Sequence, residues 1–487
     1  ICRMKHLNVI PYPNSVKITG QEIPAGNIDI SASSLTITEE IANPEAYELK
    51  IADGSVTIKA GDAKGAFYAK QTLKQLAAAG NGVLPSAVIK DEPAFPYRGF
   101  MLDSARHMTA LDDVKKLIDA AALMKMNVMH WHLTDDQGWR VEIESRPELM
   151  KTGSSRPASN FGKVHSDREY GGYYTKNELR EIVDYCGKRH IELIPEIDMP
   201  GHMIAAIASY PELSCRGERM EVETRQGIFP DILCAGKEST FDFVFDVLDE
   251  ILAVFPSEYI HIGGDEAPKK RWQECPHCQK KAAELGLSNM EELQGWFVNR
   301  IGRFLADNGR TAIAWNESLK SGALDRNTAV QMWMDKKGLS ENFANSGGKI
   351  IVSPFYHYYT DYPYGMTPLN KTYRFDPVLK GINPESAGNV LGVEAPIWTE
   401  HIRDFGRMCY MAYPRFAAVA ETGWTRAEHK DAENFARRMK VFAQQLEEIG
   451  ITPAMPQAWN PGPFERLRQT IKFFSGTLTK DMIKGYK

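Results

Sequence analysis

Residues 97–133 read YRGFMLDSARHMTALDDVKKLIDAAALMKMNVMHWHL. An apolar run, Tyr97–Asp103, gives way to a helical segment, Leu111–Met126, and then to a second apolar run, Val128–Leu133. Asp112 or Thr109 can cap that helix. The same alternation continues down the chain. Further candidate strands are Ile191–Ile197, Tyr259–Gly263, Thr311–Trp315, Ala329–Trp333, Ile350–Ser353 and Val390–Trp398. Helical segments such as Lys176–Arg189, Phe241–Phe255 and Glu291–Asn308 fit between them. Eight strands alternating with helices predict an α/β fold, a (β/α)8 TIM barrel, over residues 96–425. The connection between the third and fourth strands and the segment Lys151–Tyr174 are long and polar, as functional barrel loops often are.

Residues 1–95 have a different pattern. Tyr47–Ala52 and Ser55–Ala60 read as two strands joined at Asp53-Gly54, a hairpin turn. A helix with Phe67, Leu73 and Leu76 on one face follows, and the Pro-rich stretch Asp91–Pro96 closes the unit as a small α+β domain. Residues 426–487 read as a helical tail packed on the barrel, broken by prolines over Pro453–Pro463.

Composition narrows the function. With 43% hydrophobic and 25% charged residues in 487, the chain can bury a full core without staples. A net charge of −5 is no footprint for nucleic-acid binding. No stretch approaches the roughly 20 apolar residues of a membrane span. Ile1 in place of Met reads as a processed or trimmed start, compatible with a removed signal peptide. The seven cysteines are too few for a disulfide scaffold. Cys275 and Cys278 form a CPHC pair, but no second CxxC completes a zinc pattern, and a helix start after a tight turn is the plainer reading. Cys215 and Cys234 flank a polar loop and can pair if the protein is exported.

Active sites of such barrels lie at the C-terminal ends of the strands. Read in order, those ends supply Asp103, Arg106 and His107; His130-Trp131-His132, Asp135 and Asp136; Glu196, Asp198 and His202; and His261, Asp265 and Glu266. Trp315, Trp333 and Trp398 end the fifth, sixth and eighth strands, Glu400 lies just beyond, and Tyr356–Asp361 follows the seventh. Three tryptophans beside several carboxylates suggest a sugar, whose apolar faces stack on indoles and whose hydroxyls bond to Asp, Glu and Arg. Gly263-Gly264 permits a backbone that can deliver the adjacent Asp265 and Glu266 to one site. Two neighbouring carboxyls in a partly dry cleft resist joint ionisation, so one pKa rises and the protonated group can act as general acid.

HIGGDEA (residues 261–267) and HWHLTDD (residues 130–136) together resemble the family 20 glycoside hydrolases, the β-N-acetylhexosaminidases. The resemblance extends through LDSARH at 102–107, PEIDMPGH at 195–202, YTD at 359–361 and EAPIWTE at 394–400, and so covers the whole barrel. It implies a retaining, exo-acting enzyme that releases terminal β-linked GlcNAc or GalNAc from glycans or oligosaccharides, with no cofactor and no metal. In this family's substrate-assisted mechanism, the 2-acetamido oxygen attacks the anomeric carbon and forms an oxazolinium intermediate. By resemblance Glu266 is the acid and base, Asp265 the acceptor of the acetamido N–H, and Tyr359 a donor to the acetamido oxygen. Trp315, Trp333 and Trp398 would wall the pocket, and Arg106, Asp361 and Glu400 would bind ring hydroxyls. Asp135 and His202 would support Glu266. The histidines His130, His132 and His261 read instead as groups bonded inside the barrel. Met334–Ile397 lacks a further tryptophan that some members carry, and Tyr356, Tyr358, Tyr359, Tyr362 and Tyr364 are the candidates to shape that wall. Export to the periplasm, cell surface or medium is expected by analogy with glycan-degrading relatives.

Two rival readings fit parts of the pattern. The HxH pair His130/His132, with His202, His261 and Asp265, fits a metal-dependent amidohydrolase, which leaves the tryptophans and Glu266 unexplained. A non-catalytic glycan-binding protein would keep the tryptophans, but the presence of Glu266, Asp265 and Tyr359 gives no sign of a decayed site.

Overall fold

The computed structural model describes residues 7–24, 34–52, 54–80 and 82–477. Its N-terminal unit is a five-stranded mixed sheet of β1 (Ser15–Pro24), β2 (Ser34–Ile37), β3 (Tyr47–Ala52), β4 (Ser55–Ala60) and β5 (Val83–Asp91), in the order β1-β5-β3-β4-β2. The period-two alternation of β3 and β4 turns Leu49, Ile51, Val56 and Ile58 to one buried face, and helix α1 (Ala63–Ala79) covers it with Leu73 and Leu76. Asp62 caps α1. Asp53 of the expected hairpin turn lies outside the described residues; its neighbour Gly54 has φ +74°.

The barrel closes from β6 (Tyr97–Asp103) through β7 (Val128–His132), β8 (Glu192–Glu196), β9 (Tyr259–His261), β10 (Thr311–Trp315), β11 (Ala329–Met332), β12 (Ile350–Val352) and β13 (Val390–Ile397) back to β6. All eight pairings are parallel. Several strands stop one or two residues short of the apolar runs: Leu133, Ile197, Trp333, Ser353 and Trp398 follow the ladder rather than join it. Leu133 and Ile197 are fully buried in the core, so the apolar pattern runs on past the ladder.

The crossover helix after β6 spans Leu111–Leu123 and is preceded by Ala110, with no side-chain cap. Neither Asp112 nor Thr109 fills that role: Asp112 already lies in the first turn, and Thr109 stands one residue before the cap position. The helix also stops before Met126, because Lys125 adopts φ +58° and turns its ammonium inward.

That lysine belongs to the seam between the two units. Lys125 Nζ lies 3.0 Å from Asp91 Oδ2, both side chains are fully buried, and Tyr47 Oη and Trp424 Nε1 donate to the same oxygen at 2.7 and 2.9 Å. Arg98 and Glu45 form a second buried pair at 2.8 Å. Breaking a buried pair by deleting one partner strands the other charge. Asp91→Ala is therefore expected to lower stability by about 3–5 kcal/mol in denaturant unfolding; a loss below about 1 kcal/mol would show that the seam is not held this way.

Beyond β13, the helix Arg415–Trp424 packs against β6 and β13, and the helix Ala432–Glu448 buries Phe435, Met439, Phe442 and Leu446 in the same core. The final helix, Pro463–Thr477, reaches the rim of the mouth, where Phe473 packs on Tyr362 and His401. No described helix is long and apolar enough to cross a membrane.

Candidate active site

Strand register sets the floor of the site. Asp103 pairs with His132, His132 with Glu196, and Glu196 with His261, so four polar residues share one level of the barrel. Glu196 is the hub. Its carboxylate accepts from Trp315 Nε1 at 2.8 Å, lies 2.9 Å from His261 Nδ1 and 3.0 Å from His130 Nε2, and also meets His132 Nδ1. Burial alone would raise the Glu196 carboxyl, but the surrounding histidines, His261 foremost, hold it well below the usual range. Glu394 sits opposite, 3.0 Å from His130 Nδ1, accepting from Tyr97 Oη at 2.5 Å and Gln331 Nε2 at 2.6 Å. Burial would lower His130, yet Glu394 and Glu196 push it up to about 9. The HxH histidines thus face carboxylates that fix the barrel floor, and through Glu196 they hold Trp315 in place.

Above this floor, the loop after β9 carries Asp265 and Glu266. Gly263 turns through φ +69°, and a Cβ there would lie 1.6 Å from Asp198 Oδ1. Only glycine lets the loop pass so close. Glu266 itself has φ +41° and His202 φ +55°, left-handed conformations that cost on the order of 1 kcal/mol each in non-glycine residues. They aim three groups at one point: His202 Nε2 lies 3.8 Å from Asp265 Oδ2 and 3.6 Å from Glu266 Oε2. On its other side His202 Nδ1 is 3.1 Å from Asp135 Oδ1. Asp135 in turn is 2.7 Å from Arg106 Nη2 and 2.9 Å from His132 Nε2. Burial works against the Asp135 carboxylate, but the charges of Arg106 and His202 hold it well below the usual carboxylate range.

Asp265 carries a raised carboxyl. Burial first, and then the charge of Glu266, push it up to about 7 against the pull of His202. Its Oδ1 is buried with no hydrogen-bond partner within the protein. The sequence pattern expects the raised carboxyl to be the general acid; the carboxyl raised here is instead Asp265, which the resemblance assigns to the acetamido group, and it lies deeper than Glu266, with 13% of its side chain exposed against 20%.

Aromatic rings form one wall. Tyr359 stacks near Trp333, with centroids 6.3 Å apart at 28°, and Trp398 lies 6.3 Å from Tyr359 and 6.1 Å from Trp315. Trp315 is only 1% exposed, so it backs the wall more than it faces the cleft. The indole N–H groups of Trp333 and Trp398 are buried without a protein acceptor. The charge of Asp265 acts on the Tyr359 hydroxyl, whose pKa burial and that charge raise well above the usual value. The other tyrosines do not build this wall. Tyr358 and Tyr364 point into the core, Tyr364 donating to the carbonyls of Tyr410 and Tyr413, while Tyr356 is 55% exposed and Tyr362 packs on Phe355 and Phe473. A short helix, Phe355–Tyr358, turns Tyr356 to solvent and Tyr358 to the core.

Polar groups beside this wall complete the site. Asp361 is buried, its Oδ1 lacks a protein partner, and burial with the nearby charge of Glu400 raises its carboxyl well above the usual range. Arg106 Nη1 lies 3.7 Å from Glu400 and 3.1 Å from Asp103, while Nε donates to Gln137 at 2.8 Å. The guanidinium is thus anchored by protein groups and stacks over Trp398 at 5.2 Å. Residues that the sequence reading passed over hold this frame: Gln331 on Glu394, Asn316 accepting from the Trp333 backbone N–H at 3.1 Å, and Glu317 accepting from the Glu266 backbone N–H at 3.4 Å. Their only sequence signal was position, directly after Trp315 or one residue before a strand end.

The comparisons agree with this geometry. Residues 95–427 match the family model described as glycosyl hydrolase family 20, catalytic domain, and residues 19–92 match domain 2 of that family. A beta-hexosaminidase of Porphyromonas gingivalis is 39% identical over 92% of this chain, which spans 59% of that protein's length. One from Akkermansia muciniphila is 36% identical over 90% of each. Among solved structures, a beta-N-acetylhexosaminidase superposes with a TM-score of 0.85 at 32% identity, covering 91% of this chain and 96% of that one. An exo-beta-N-acetylglucosaminidase from Vibrio harveyi, solved with N-acetylglucosamine, gives 0.80 at 29% identity over 92% and 78%. The chain belongs to glycosyl hydrolase family 20, a glycoside hydrolase of the beta-hexosaminidase kind with the family's domain 2 ahead of its catalytic barrel.

Proposed function

We propose that the enzyme is a retaining exo-β-N-acetylhexosaminidase that removes terminal β-linked GlcNAc or GalNAc from glycans by substrate-assisted catalysis. The observation that carries this reading is the shared position of Asp265 and Glu266: both face His202 Nε2 from one loop, beside an aromatic wall. Glu266 protonates the glycosidic oxygen as the bond to the anomeric carbon breaks. The acetamido oxygen, oriented by the Tyr359 hydroxyl, attacks that carbon from the other face. Asp265 accepts the acetamido N–H and stabilises the positive charge that develops there. Glu266 then takes a proton from the water that opens the oxazolinium ring, and two inversions return the β-anomer.

A protein nucleophile is poorly supported by the same geometry. Glu196 is committed to three histidines and Trp315, and Glu394 to His130, Tyr97 and Gln331. Asp361 and Glu400 lie close to one another beside the aromatic wall, where they bind the hydroxyls of a terminal sugar and so make the action exo. Proton NMR of the first product from a β-N-acetylglucosaminide tests the reading: the β-anomer should appear first and mutarotate later. Initial release of the α-anomer would mean direct displacement by water and would end the proposal.

A further inference from the structure

Four cysteines from two loops meet at one point. Cys215 and Cys234 lie between β8 and the helix Glu238–Val254; Cys275 and Cys278 follow β9, where Cys275 precedes Pro276 at the start of the helix Pro276–Glu284. The expected helix start is thus present, and the ligands that the CPHC pair lacked in sequence arrive from the neighbouring loop. Cys234 Sγ is 3.8 Å from Cys275 Sγ and 3.6 Å from Cys278 Sγ, and Cys215 Sγ is 3.8 Å from Cys278 Sγ. All four sulfurs lie within 4.8 Å of one another, and none is joined in a disulfide.

These spacings discriminate between explanations. Sulfurs of a disulfide are about 2.0 Å apart. Sulfurs about 2.3 Å from a common tetrahedral centre are about 3.8 Å apart, and three of the pairs here are 3.6 to 3.8 Å apart. Ordinary buried cysteines behave as small hydrophobes and have no reason to converge in fours. The backbone is also shaped for the approach: a Cβ on Gly236 would lie 2.2 Å from the His277 carbonyl carbon and 2.4 Å from the Cys278 nitrogen. The LCAG turn (residues 233–236) and the CPHC turn therefore touch backbone to backbone. Cys234 and Cys278 are fully buried and Cys275 nearly so, while Cys215 is partly exposed and offers an entry path.

We propose that Cys215, Cys234, Cys275 and Cys278 bind one zinc ion as a tetrahedral thiolate site that ties the loop holding His202 to the loop holding Asp265 and Glu266. Thiolate ligands with tetrahedral geometry select zinc among the common divalent ions. Binding exchanges the four thiol protons for the metal and releases them to solvent, with no change of oxidation state. The link to the site is short. The Leu233 N–H, next to Cys234, donates to the Pro200 carbonyl two residues before His202, and Trp272 Nε1 donates to the Leu233 carbonyl at 2.9 Å. Arg216 and Arg271 join the same loops from outside by both bonding Asp231, at 3.0 and 3.1 Å.

Elemental analysis of the purified full chain, after dialysis against a trace of zinc, tests this directly. About one zinc per chain is expected, released in step with mercurial titration of four thiols. The cobalt-substituted protein should show thiolate-to-cobalt charge transfer, and stripping the metal should lower Tm. Cys215→Ser, at the partly exposed ligand, should fold yet lose zinc to a chelator far faster than the native protein. Unreduced protein with the four cysteines paired as disulfides, or four free thiols with no bound zinc, would overturn the proposal. Neither outcome touches the glycosidase reading, which the NMR experiment tests separately.

Discussion

Glu266→Gln is expected to lower kcat/KM by about 10²–10⁴-fold on a disaccharide, and much less on an aryl glycoside whose leaving group needs no proton. Glu266 is singled out by geometry as well as by resemblance. The turn through Gly263 and the left-handed Glu266 backbone set its carboxyl 3.6 Å from His202 Nε2, which is anchored on Asp135 and, through it, Arg106. Glutamine keeps this shape and removes only the proton. Because kcat/KM reports the first irreversible step, it isolates the acid role from the later base role. Equal losses on both substrates would mean that Glu266 is not the acid.

Asp265→Asn should cripple turnover while stabilising the fold. An amide in place of the carboxylate loses charge stabilisation of the acetamido group, and a fall in kcat/KM of about 10²–10³-fold is expected even for activated aryl substrates. Stability moves the other way. A carboxyl pushed up to about 7 by burial binds its proton more tightly in the folded protein than in the unfolded chain. Its presence therefore costs nothing at low pH and destabilises increasingly as pH rises from the ordinary carboxylate range to about 7, with a plateau above. The variant should match the native protein near pH 4 and exceed it above pH 7 by about 1–3 kcal/mol in denaturant unfolding. A variant that is active, or one less stable than the native protein at pH 8, would contradict the assignment of Asp265 as a buried, charge-sensitive partner of the substrate.

Much of this was legible in the chain. Alternation of apolar runs and helices carried the barrel, because parallel strands buried on both faces must be apolar throughout. The motifs HWHLTDD, PEIDMPGH and HIGGDEA sit at strand ends, where the fold makes position informative. Packing direction was not legible. The five tyrosines of residues 356–364 looked alike in sequence, yet a single helical turn sends Tyr358 into the core and leaves Tyr356 in solvent. Nor did the pattern show that Asp265 is raised, since that depends on how deeply the loop buries it. Cys215 and Cys234 carry no metal-type spacing and find Cys275 and Cys278 only because two barrel loops are neighbours in space.

The central claim is that the substrate's own acetamido group is the nucleophile. Rates on an aryl β-N-acetylglucosaminide and on the matching aryl β-glucoside, under one set of conditions, test it most directly. Intramolecular attack carries an effective molarity that the glucoside cannot supply, so a preference of at least about 10³-fold for the acetamido substrate is predicted. Comparable cleavage of both would mean that a carboxylate of the protein attacks, and the account given for Asp265 would be wrong.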